Sequence, residues 1–127
     1  MAVPAPENVR FAGRLPRAAT LAAIAGARFL VMNSTWYEGQ PTVLLEALAA
    51  GVPSLVPALG AMPEIAGCPE LGTSFAPGDP ADLVRSARGL WERSPALEAA
   101  CRARFEERYT LRAHFDALMR LYEEAAG

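Results

Sequence analysis

The stretch from Arg28 to Val56 constrains the fold more than any other part of the chain. An apolar strand over Arg28 to Met32 leads through a loop to a helix from Pro41 to Ala50 and then to a second apolar strand over Pro53 to Val56. Strands that are apolar on both faces belong in a parallel sheet covered by helices, since each parallel pair needs a crossover and a helix supplies it. Pro41 reads as the first helical residue, because its ring pre-sets φ and its missing N–H would have no partner there. The same alternation extends outwards. Asn8 to Gly13 reads as a short strand ending in glycine, Arg17 to Ala25 as a helix, Pro63 to Ile65 as one helical turn, and Thr73 to Ala76 as a last short strand. Asp79 is expected to cap a helix that begins at Pro80 and runs to about Glu92. Two more helices are expected, near Pro95 to Arg108 and Leu111 to Ala125. The expected class is α/β, a parallel sheet flanked by helices, with extra helices at the C-terminal end.

A chain of 127 residues is expected to form a single domain, residues 1–127, with a real core. A net charge of −2 and 52% apolar residues argue against nucleic acid as a partner. No apolar run is long enough to span a bilayer, and Met1 to Pro6 lacks the regions of a signal peptide, so a cytoplasmic location is expected. Cys68 and Cys101 are far apart, and His114 is the only histidine. That supports neither a metal site nor a disulfide, and no metal is expected.

Two carboxylates flank the start of the central helix. Glu38 lies in the loop before it and Glu46 inside it, in a run so apolar that Glu46 is expected to be buried and in need of a partner. Ligands of parallel sheets bind at the carboxyl ends of the strands, where the loops holding Glu38 and Gly60 are expected. The N–H groups of Thr42, Val43 and Leu44 are expected to point free out of the helix mouth, where an anion such as a diphosphate is favoured. Thr42 and Glu46 share one face, about 6 Å apart along the axis, which leaves room for a nucleotide ribose at Glu46. Glu38 would then accept hydrogen bonds from a sugar on the other phosphate. The plainer alternative makes Glu38 a solvated loop residue and pairs Glu46 with an arginine such as Arg14 or Arg28. Gly39 suits a tight turn with positive φ, and also a close approach of backbone to phosphate.

The residues Phe29-Leu-Val-Met-Asn-Ser-Thr-Trp-Tyr-Glu-Gly-Gln-Pro-Thr-Val-Leu-Leu-Glu-Ala-Leu-Ala-Ala-Gly-Val-Pro-Ser-Leu-Val56 resemble the glutamate-x7-glutamate region of the retaining GT-B glycosyltransferases of the group 1 family. The similarity continues through Gly60-Ala-Met-Pro-Glu-Ile65 and Gly78-Asp-Pro-Ala-Asp-Leu-Val84, and covers Asn8 to about Tyr122. The resemblance implies the C-terminal, Rossmann-like half of a GT-B fold, shortened at its start and without the N-terminal acceptor domain. It implies a nucleoside diphosphate sugar as substrate, retention at the anomeric carbon, and no bound metal. Glu46 would bind the ribose, and Glu38, the expected catalytic residue, the donor sugar. Backbone amides around Gln40 to Val43 would hold the diphosphate where Gly39, Gln40, Pro41, Thr42 and Val43 turn into the helix, with Arg14 and Leu15 beside the base and Gly60 and Glu64 near the donor. The family usually has glycine where Ala61 stands and often aspartate where Ala58 stands.

The family also supplies an arginine and a lysine from upstream, whereas all 12 basic residues here are arginine. The chain by itself is therefore expected to bind a donor without transferring its sugar. Two other classes compete, a stand-alone nucleotide-binding or assembly module and a flavodoxin-like signalling domain. Leu111, Phe115, Leu118, Met119 and Tyr122 form one apolar stripe on the last helix, through which self-association is expected.

Overall fold

The strand Ser54–Pro57 is buried along its whole length and organises everything around it. In the computed structural model, which describes residues 4–127, the helices are α1 (Arg17–Ala25), α2 (Thr42–Ala49), α3 (Met62–Ala66), α4 (Pro80–Arg93), α5 (Glu98–Arg108) and α6 (Leu111–Ala126). The strands are β1 (Leu30–Val31), β2 (Ser54–Pro57) and β3 (Thr73–Phe75), with a 3-10 turn at Ser94–Ala96. They form a parallel sheet in the order β1-β2-β3, with Leu30 opposite Ser54 and Val56 opposite Ser74.

Side chains alternate across β2, and the two faces meet different helices. Val56 packs with Leu44 of α2 and with Met62, Ile65 and Ala66 of α3. Leu55 packs with Phe75 and with Leu90 of α4 on the other face. The α/β class and the flanking helices are therefore as expected.

The apolar run of α2 is explained by contacts on three of its sides. Leu44 meets the sheet, Ala47 meets Ile24 of α1, and Leu48 meets Leu71 and Cys101 of α5. Polar contacts fix the far layer. The Arg28 guanidinium donates to the Trp91 carbonyl at 3.0 and 2.7 Å and lies 4.0 Å over the Trp91 ring. Arg93 donates to the Gly72 carbonyl and to Thr73 Oγ1, both at 2.7 Å. Asp79 caps α4 as expected, accepting from the Asp82 N–H at 3.0 Å.

The expected strand over Asn8 to Gly13 does not form; these residues are exposed and outside any strand. A strand is stable only when its backbone groups find a neighbour, and these residues pair with none of the three strands. The strand expected over Arg28 to Met32 is shorter, Leu30–Val31, and the start of α2 is shifted. Pro41 is the N-cap of α2 rather than its first residue, with φ −65° and ψ 115°, and Thr42 opens the helix.

Helix α6 contacts α5 and buries none of its own residues. Its stripe faces solvent, with Leu111 85%, Phe115 56% and Tyr122 61% exposed. No helix among the described residues is long and apolar enough to cross a membrane.

Candidate functional site

Both α1 and α2 begin at the carboxyl edge of the sheet, because each runs back towards the start of the strand that follows it. Their first turns therefore lie side by side, with a groove between them. Arg17, Leu21, Thr42, Leu45, Glu46 and Ala49 line a cavity of about 610 Å³ there, closed on one side by Phe105 of α5. A second cavity of about 270 Å³ continues past Leu15, Thr20 and Leu21.

Glu46 is not fully buried, since its side chain keeps 18% of its exposure. It does have the partner that its setting demands. Arg17 Nη1 donates to Glu46 Oε1 at 2.9 Å. The arginine is neither Arg14 nor Arg28, for Arg28 is bound to Trp91 and Ser94 and Arg14 lies exposed in the loop before α1. Arg17 belonged to the expected helix and is one turn from Leu21, so helical phase would have singled it out had α1 and α2 been placed side by side.

The mouth of α2 differs from expectation at one amide. The Leu44 N–H donates to the Pro41 carbonyl at 3.1 Å, which closes the first turn. The N–H groups of Thr42 and Val43 have no protein acceptor among the described residues, and no side chain caps the helix. Two amides rather than three therefore face outwards, together with the positive end of the helix dipole.

Glu38 is half-buried in the loop between β1 and α2, and Ser34 Oγ donates to its Oε1 at 3.4 Å. Ser34 also accepts from the Trp36 N–H at 3.2 Å, so it braces the loop that carries the carboxylate. Trp36 and Tyr37, next to Glu38, are 76% and 80% exposed. The loop after β2 comes up against this one. Gly60 has φ +53°, and a Cβ added there would lie 3.3 Å from the Glu38 carbonyl oxygen and 3.5 Å from Tyr37 Cδ1. Glycine is favoured at Gly60 by its backbone angle, and a Cβ there would crowd the Glu38 carbonyl.

At Gly39 the expected positive φ is absent, and a Cβ would meet nothing within 4 Å. Its small size is therefore not explained by the protein's own contacts. Gln40 is exposed at the mouth, and Glu64 is exposed in the first turn of α3.

The structure thus makes two groupings of the candidate residues. Leu15, Thr42 and Glu46 meet around Arg17 in the inter-helix groove, while Glu38 and Gly60 meet in the adjoining loops. Arg14 and Glu64 join neither through a side-chain hydrogen bond among the described residues. Ser34, Arg17 and Phe105 are the groups that the sequence did not single out.

The two thiols stand apart from this chemistry. Burial pushes Cys68 and Cys101 up to about 11, so both are protonated at neutral pH and poor nucleophiles.

The family model described as glycosyl transferases group 1 matches residues 2–108, and the chain belongs to that family. Helix α6 lies beyond the matched residues. No curated protein matches the chain.

Proposed function

We propose that this chain binds a nucleoside diphosphate sugar across the mouth of α2, for transfer of the sugar with retention to an acceptor hydroxyl. One observation carries the reading. The unpaired amides of Thr42 and Val43 open beside a groove whose wall holds Glu46, four residues further along the same helix. In this reading the diphosphate lies over the amides, the ribose hydroxyls donate to Glu46, and the base enters the pocket beside Leu15. The donor sugar extends the other way, towards Glu38 and the Gly60 loop.

The chemistry follows from where charge develops. Cleavage of the bond between the anomeric carbon and the phosphate oxygen leaves negative charge on the diphosphate. A helix N-terminus aimed at that oxygen cluster stabilises the charge in the transition state more than in the ground state. In this reading Glu38, held by Ser34, accepts hydrogen bonds from the sugar and keeps its anomeric carbon oriented. No metal is needed for charge stabilisation of this kind, and the exposed stripe of α6 supports self-association of the chain.

Calorimetric titration with UDP, GDP and ADP in turn tests the donor reading. At least one is expected to bind with one site per chain, and a panel of the corresponding nucleotide sugars is expected to show binding without sugar transfer. Absence of heat from all three diphosphates, in a chain shown to be folded, would contradict it.

A further inference from the structure

Arg17 is the first residue of α1, a helix with no acidic residue in its first turn and no side-chain cap. A cation there opposes the positive end of the helix dipole. The ion pair that it makes with Glu46 has side-chain exposures of 76% and 18%, so the guanidinium stands largely in solvent and the carboxylate is mostly buried. Partnering a mostly buried carboxylate accounts for a cation here but does not say what the pair does in the groove.

The position of the pair does. Arg17, Leu21 and Glu46 line both cavities of the groove, the larger running along α2 and the smaller towards Leu15 and Thr20. The ion pair stands where the two meet. Arg17 engages Glu46 Oε1, while Oε2 has no hydrogen-bond partner among the described residues. A carboxylate held in this way keeps one oxygen ready for a hydroxyl donor.

We propose that Arg17 is a positioning residue of the nucleoside subsite, holding the Glu46 carboxylate at the junction of the two cavities so that Oε2 accepts a ribose hydroxyl. The proposal rests on the reading that Glu46 meets the ribose. Its physical content is preorganisation. A free glutamate side chain must be immobilised when the ligand arrives, whereas here the guanidinium already restricts it.

The test uses whichever of UDP, GDP and ADP binds most tightly, titrated into the whole chain and into Arg17→Gln, Arg17→Lys, Glu46→Ala and the Arg17→Gln/Glu46→Ala double variant. Arg17→Gln should weaken binding about fivefold, the scale set by immobilising one flexible side chain. Arg17→Lys should restore affinity to about twofold of the parent, since an ammonium also donates to Oε1. The double variant should bind no more weakly than Glu46→Ala, and the melting curves of the Arg17 variants should show them folded at the temperature of the titration.

Three results overturn the proposal, and they are distinguishable. Unchanged affinity in Arg17→Gln beside a weakened Glu46→Ala removes Arg17 and leaves the ribose reading intact. A double variant weaker than Glu46→Ala by the full Arg17 factor means that the guanidinium contacts the ligand itself. Parent-like affinity in Glu46→Ala removes the ribose reading, and the inference with it.

Discussion

Leu44→Ala is expected to lower the unfolding free energy by about 2–5 kcal/mol, the range for emptying a fully buried leucine site. Leu44 has no exposed surface and packs under the first turn of α2 against Val56, Met62 and Ile65. Its own N–H closes that turn through the Pro41 carbonyl. The neighbours come from both β2 and α3, so the site cannot collapse without moving the sheet relative to a helix. Urea denaturation of the two proteins measures the difference. A loss under about 1 kcal/mol would be too small for a truncated core leucine, and would mean that α2 is not seated on the sheet as described.

The second large effect belongs to ligand binding. Glu46→Ala should weaken binding of the tightest nucleoside diphosphate by about 1.5–3 kcal/mol, the range for hydrogen bonds to a charged group. Glu46→Gln should fall in between, because its amide oxygen still accepts one hydrogen bond without the charge. Glu46 lines the groove between α1 and α2, and the melting curve of each variant checks that it remains folded. Equal diphosphate affinity in the parent and both variants would contradict the assignment of the ribose to this carboxylate.

What the sequence made legible depends on how local each determinant is. The limits of α1 were readable from the run Arg17 to Ala25 and the glycine after it, and the cap of α4 from Asp79 and Pro80, because those signals lie within a few residues of what they control. The strand expected at Asn8 to Gly13 failed for the opposite reason. Val9 and Phe11 alternate as strand residues do, but pairing is decided by a neighbour, and this segment pairs with none of the three strands.

The partner of Glu46 shows the same limit. Arg17 and Glu46 are 29 residues apart, and their meeting depends on two parallel helices starting at one sheet edge. Arg14 and Arg28 were reasonable choices by composition. The first lies before the helix, and the second is drawn to the opposite layer by Trp91. The sequence points to Gly39 for a special backbone angle, whereas beside Glu38 it is Gly60 that has it. The reason is tertiary, since the loop bearing Gly60 must pass within contact distance of the Glu38 carbonyl.

The resemblance read from Phe29 to Val56 agrees with the family match over residues 2–108, which spans every strand and five of the six helices. Family membership leaves open which residues hold a donor. Those assignments rest on geometry at one helix mouth, where Thr42 and Val43 present amides and Arg17 and Glu46 form a pair beside them.

A crystal structure of the chain soaked with the tightest-binding nucleoside diphosphate tests that account most directly. The diphosphate is expected within hydrogen-bond distance of the Thr42 and Val43 amides, with a ribose hydroxyl on Glu46 Oε2 and the base beside Leu15. Density for the nucleotide elsewhere on the molecule, with the mouth of α2 empty, would contradict it.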